Sequence, residues 1–137
     1  MSQVDGKFVR GLGTKFDTVY ITPNSAQGAA NVIPAGAKQV VLLANANDAN
    51  DFTVLPSLAS VPEGHTITIL AGTAANSELR TPASSNEKIN NEDSDGTKEA
   101  LLTATNVYTV TKMIGTAGWM LEGRTKLGAY ETAIVPD

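Results

Sequence analysis

The sequence predicts an all-β fold: a small β-sandwich, jelly-roll-like or barrel-like domain carrying an extended N-terminal arm. Three observations lead there. Short hydrophobic or alternating runs recur from Asp17 onward, and clusters of Gly, Pro, Asn and Asp separate them. Threonine, whose branched Cβ suits a pleated surface, is abundant, while aromatics are only 5% of the chain. The core is therefore expected to consist mainly of Val, Ile, Leu and Ala.

Residues 1–16 read as the arm and 17–137 as a single β domain. Gly6, Gly11 and Gly13 keep the arm permissive, and Phe8, Val9 and Leu12 are its candidate anchors. The first strand, Asp17 to Thr22, alternates with Val19 and Ile21 on one face and Thr18, Tyr20 and Thr22 on the other. Pro23-Asn24-Ser25 ends it. Pro34-Ala35-Gly36 then leads into Lys38 to Ala44, whose apolar run Val40 to Ala44 predicts a central strand covered on both sides.

A polar loop follows, then a strand from Phe52 to Leu55. Pro56 marks its end, because proline has no N–H to give a sheet. His65 to Leu70 is the clearest strand, with Ile67 and Ile69 inward and Thr66 and Thr68 outward. Leu79 and Ile89 read as the buried residues of two further short strands. Lys98 to Ala104 has good helix formers but leads into the next strand, and strand is the favoured reading over a short helix. Val107 to Lys112 and Gly118 to Glu122 form a hairpin framed by Gly115 and Gly118, with Trp119 and Leu121 on one face. Ile134-Val135 ends a last apolar stretch.

Composition narrows the function. The chain has 137 residues, 10 basic against 14 acidic, and a net charge of −4. Phosphate-backbone binding needs a concentrated positive surface, so no nucleic-acid partner is expected. The longest apolar run is too short for a membrane helix, and Met1 to Gly13 is polar and Gly-rich where a signal peptide would be apolar. A soluble, cytoplasmically synthesised chain is the expectation. With no cysteine, neither thiol catalysis nor thiolate metal binding is open to it.

Few groups could do chemistry. His65 is the single histidine, expected to be partly buried and hydrogen-bonded to a turn backbone, since a catalytic base would need a positioned nucleophile beside it. Asn91-x-Asp93-x-Asp95-Gly96 matches the first half of a calcium loop, but Leu102 stands where the bidentate Glu belongs. A solvated loop tip is preferred there. Trp119 reads as a hydrophobic plug or a subunit contact ahead of a ligand platform. No catalytic residue, metal or cofactor is expected.

The stretch Leu55-Pro56-Ser57-Leu58, Glu63-Gly64-His65-Thr66-Ile67-Thr68-Ile69-Leu70, Leu79-Arg80-Thr81-Pro82 and Lys88-Ile89-Asn90 resembles small β domains of tailed-bacteriophage virions. These are capsid decoration (cement) proteins, head fibres and tail-fibre modules. Ala104 to Val110 and Gly118-Trp119-Met120-Leu121-Glu122-Gly123 extend the resemblance, which covers about half of the chain from Pro56 to Gly123. It implies a non-enzymatic homotrimer on the capsid exterior that binds the major capsid protein. Phe8, Val9, Leu12 and Trp119 are then the candidate capsid or subunit contacts. A receptor- or carbohydrate-binding fibre module is the alternative, and it would need exposed aromatics from among Tyr20, Tyr108, Trp119 and Tyr130.

Overall fold

In a computed structural model the described residues are 18–44, 51–72, 76–93, 100–114, 118–131 and 134–136. They form ten strands: β1 Thr18–Ile21, β2 Gln39–Leu42, β3 Phe52–Val54, β4 Thr66–Leu70, β5 Ser77–Arg80, β6 Lys88–Ile89, β7 Glu92–Asp93, β8 Ala100–Leu102, β9 Val107–Lys112 and β10 Gly118–Arg124. A 3-10 turn at Leu58–Ser60 joins β3 to β4. The all-β class is as expected. The 98–104 region takes the strand form at Ala100–Leu102, where Ala100 and Leu102 point inward and Leu101 outward.

The strands build two mixed sheets. The larger has the order β1-β2-β4-β9-β10-β6-β7, the smaller β3-β5-β8. Between β1 and β5 the chain passes back and forth from one sheet to the other. As a result, Val19, Val40 and Ile69 lie side by side in parallel register in the larger sheet. Val32, Val54 and Arg80 do the same in the smaller. Parallel neighbours cannot be joined by a tight hairpin, and the excursion through the other sheet supplies the long connection. Pro23, Pro34, Pro56, Pro62 and Pro82 flank strands where the chain leaves or enters a sheet, positions that need no ladder N–H. Antiparallel partners complete the winding: β9 and β10 beside β4, and β8 beside β5.

The two sheets share one hydrophobic cluster. Val40, Leu42, Ile67, Ile69, Tyr108, Val110, Trp119 and Leu121 enter from the larger sheet, and Leu79, Ala100 and Leu102 from the smaller. Removing a large aliphatic group such as Leu79 from so closed a cluster costs about 2–5 kcal/mol. Tyr108, the one Tyr in the core, has its hydroxyl satisfied by the Thr103 N–H at 2.8 Å. Burial is the main cause that pushes its pKa up.

Buried polar groups tie down the connections. Asn31 donates to the carbonyls of Phe52 and Ala26 and accepts from the Gly28 N–H, which fixes the β1–β2 crossing against β3. Lys112 donates from Nζ to the carbonyls of Leu58 (2.6 Å) and Val61 (2.8 Å), closing the 3-10 turn. Both oxygens of Glu87 accept from the Leu58 N–H at 3.1 Å.

Burial raises the Glu87 pKa above its ordinary 4.5, against the opposing pull of Leu58 and Lys112. The folded state therefore holds this proton more tightly than the unfolded chain does. The resulting stability is fully present below the unfolded pKa and is lost as pH rises through the folded one. In urea titrations across the acid range, the native protein should lose stability relative to Glu87→Gln as pH rises from its ordinary pKa. An opposite slope would contradict this environment for Glu87.

Candidate interaction surface

Strand phase sorts the larger sheet into an inner face on the core and an outer face. The outer face of β2 is not covered among the described residues: Val41 is half-buried, and Leu43, just past the strand, is exposed. This corrects the expectation that Val40 to Ala44 is covered on both sides. The run is apolar on both faces, yet only Val40 and Leu42 reach the core.

Register carries the outer-face row of Val41 across five of the seven strands, apolar until it reaches Arg124 in β10. Tyr20 pairs with Val41, Val41 with Leu70, Leu70 with Val107 and Val107 with Arg124. Arg124 bridges to Tyr130, its guanidinium carbon 4.1 Å from the ring centroid and its Nη2 donating to the Tyr130 hydroxyl. Six outer-face side chains thus form one row, with a tyrosine at each end, 66% and 62% exposed. At about 4.8 Å per strand the row is about 24 Å long.

The next row is polar: Thr18, Gln39, Thr68, Thr109 and Glu122. Beyond it the hydroxyls of Thr66 and Thr111 meet across the strands at 3.0 Å. The apolar row is therefore a stripe against a threonine field. Exposed apolar stripes rimmed by polar groups mark contact surfaces.

At the opposite corner a groove of about 380 Å³ is lined by Lys88, Met113, Gly118 and Met120 together with Asn86, Asn90 and Asn91. Its backbone is unusual, because Asn86, Asn90 and Asn91 all have positive φ. Asparagine tolerates that conformation better than most residues.

At Asn90 the side chain explains the geometry. Its amide nitrogen donates to the carbonyls of Leu121 (3.0 Å) and Ile134 (2.7 Å), and its oxygen accepts from the Leu121 N–H at 2.8 Å. Asn90 therefore continues the β6–β10 pairing with its side chain and holds the C-terminal segment against β10. Asn90→Asp replaces those two donors by a carboxylate facing carbonyls, and should cost about 1–3 kcal/mol or more in urea unfolding. A midpoint equal to the parent's would refute this role.

The candidate residues fall in different places. Trp119 is 1% exposed and sits in the shared core with no hydrogen-bond partner for its Nε1 among the described residues. Tyr108 is likewise buried, so only Tyr20 and Tyr130 of the four aromatics are open to solvent. Phe8, Val9 and Leu12 lie outside the described residues, as do Asp95 and Gly96 of the partial calcium motif. Asp93 belongs to β7, opposite Lys88. His65 is partly buried, with Nε2 2.9 Å from the Ala37 carbonyl, so it ties the β4 start to the turn before β2. Gly123 lets the Tyr108 ring cross β10, since a Cβ there would stand 2.6 Å from the ring.

Sequence reasoning did not single out Val41, Leu70, Val107 or Arg124. The signal was present in the outward phase of the strands, where Leu70 and Val107 interrupt the threonines of β4 and β9 and Val41 follows Gln39 in β2. Recognising it as one row requires the pairing of strands far apart in sequence. Comparison with protein-family models, curated proteins and solved structures gave no match.

Proposed function

We propose that this chain is a non-enzymatic structural protein of a tailed-phage particle, a capsid decoration (cement) protein that binds the major capsid protein lattice as a homotrimer. The two sheets facing one core are read as a β-sandwich. Its parallel pairs set it apart from an all-antiparallel jelly roll. The observation that carries the reading is the apolar row on the outer face of the larger sheet. It is a long contact stripe bordered by a threonine field, as a protein that works by burying interface requires. The resemblance of Pro56 to Gly123 to virion β domains supplies the class of particle. Phe8, Val9 and Leu12 are the proposed lattice or subunit contacts, and Trp119 contributes by holding β10 on the core.

Such a protein would add buried interface between capsid subunits and so oppose the pressure of packaged DNA. The alternative, a receptor- or carbohydrate-binding fibre module, draws on Tyr20 and Tyr130, the two exposed tyrosines at the ends of the row. Immunogold electron microscopy of particles whose genome carries this gene separates the readings. Label spread over the head is expected. Label at fibre tips would replace the cement role by the fibre role, and unlabelled particles would overturn both.

A further inference from the structure

We propose that the apolar row Tyr20–Val41–Leu70–Val107–Arg124–Tyr130 is the seat for the N-terminal segment, residues 1–17, of a neighbouring copy of this chain. The inference rests on the homotrimer reading and names the surface that joins its subunits. Four observations carry it.

The first is what the segment holds. Two of the chain's three phenylalanines, Phe8 and Phe16, lie there with Val4, Val9 and Leu12. The row offers three aliphatic side chains, Val41, Leu70 and Val107, between Tyr20 and the Arg124–Tyr130 pair.

The second is charge. Lys7, Arg10 and Lys15 against Asp5 and Asp17 give the segment a net +1, leaving −5 for the rest of a chain whose total is −4. A basic arm and an acidic domain attract, and Glu122 closes the polar row directly beside the stripe.

The third is length. Phe8 to Leu12, if extended, span about 13 Å at about 3.3 Å per residue, close to the about 14 Å across three strand spacings from Val41 to Arg124.

The fourth is where the segment is tethered, which selects a neighbour's row over the chain's own. The segment enters β1 at Thr18, in the polar row, while the apolar row lies two residues further along the strand at Tyr20. A segment arriving from the Thr18 side would have to reverse over Thr18, Gln39 and Thr68 to reach its own stripe. To reach a neighbour's, it only continues outward. Each copy then gives one arm and takes one. Such a head-to-tail contact closes into a ring when the rotation fits.

Absence of cysteine makes the test clean. A size-tagged Val9→Cys chain is mixed with untagged Val107→Cys chains, refolded together and oxidised. Ser60→Cys, in the 3-10 turn on the inner side of the larger sheet, replaces Val107→Cys as control. The expected result is a new band, lost on reduction, at the summed mass of one tagged and one untagged chain with Val107→Cys and not with Ser60→Cys. Equal crosslinking to both positions overturns the seat. So does a double variant, Val9→Cys with Val107→Cys, that closes only within one chain. Light scattering of the same samples separates the two levels. A trimeric mass without the Val107 crosslink removes the seat and leaves the assembly, whereas a monomeric mass removes the assembly reading too.

Discussion

Trp119→Ala is expected to lower the unfolding free energy by about 3–5 kcal/mol, the range for emptying a large aromatic site in a closed core. Trp119 is the largest fully buried side chain, and it packs where β10 meets β6, with Ile89 as its register partner. A domain of this size has about 5–15 kcal/mol to lose in total, so the variant should melt far below the parent or fail to accumulate folded. Trp119→Phe is the informative companion. It keeps an aromatic ring and removes an indole N–H that has no hydrogen-bond partner among the described residues, so it should cost clearly less than alanine. Chemical unfolding of both variants checks the order. Equal losses would show that the indole nitrogen has a partner essential to the fold.

Gly123→Val is the second large effect, expected at about 3 kcal/mol, the upper end for overpacking a filled core. Already the first added carbon would stand 2.6 Å from one Tyr108 ring carbon and 2.8 Å from the next and from Glu131 Oε2. The Glu131 side chain can swing aside, but the Tyr108 ring is buried between β4 and β10 with its hydroxyl held by Thr103. The clash is therefore specific to that ring. Tyr108→Phe leaves it in place, whereas Tyr108→Leu in the same chain should relieve much of it. A double-mutant cycle reads this directly, and additive losses would contradict it.

Much of the fold was legible in residue alternation. Val19 and Ile21, Ile67 and Ile69, and Trp119 and Leu121 face inward as their phase predicts. Leu79 and Ile89 are buried residues of short strands. These succeed because one face of each strand meets a core, and period two is a local property. The β9–β10 hairpin was legible too, but the long-range pairings were not. That β2 lies between β1 and β4 in parallel register depends on the route through the smaller sheet, which no local pattern records. For the same reason Val40 to Ala44 was misread. An apolar run shows that both faces avoid charge, but not whether the second face is covered within the same chain.

The candidate surface divides along the same line. Trp119 stood out by size, and the fold places it in the core. Val41, Leu70 and Val107 are ordinary residues that became a surface only when three distant strands aligned them. Asn90 gave no local signal either, because its role lies in its contacts with Leu121 and Ile134, far along the chain.

Whether this protein works by assembling is decided most directly by its solution mass, measured by light scattering after size exclusion at several concentrations. The full-length chain is predicted to elute at three times its 14.3 kDa. A mass of one chain at every concentration would contradict the homotrimer and, with it, the exchange of arms across the outer face.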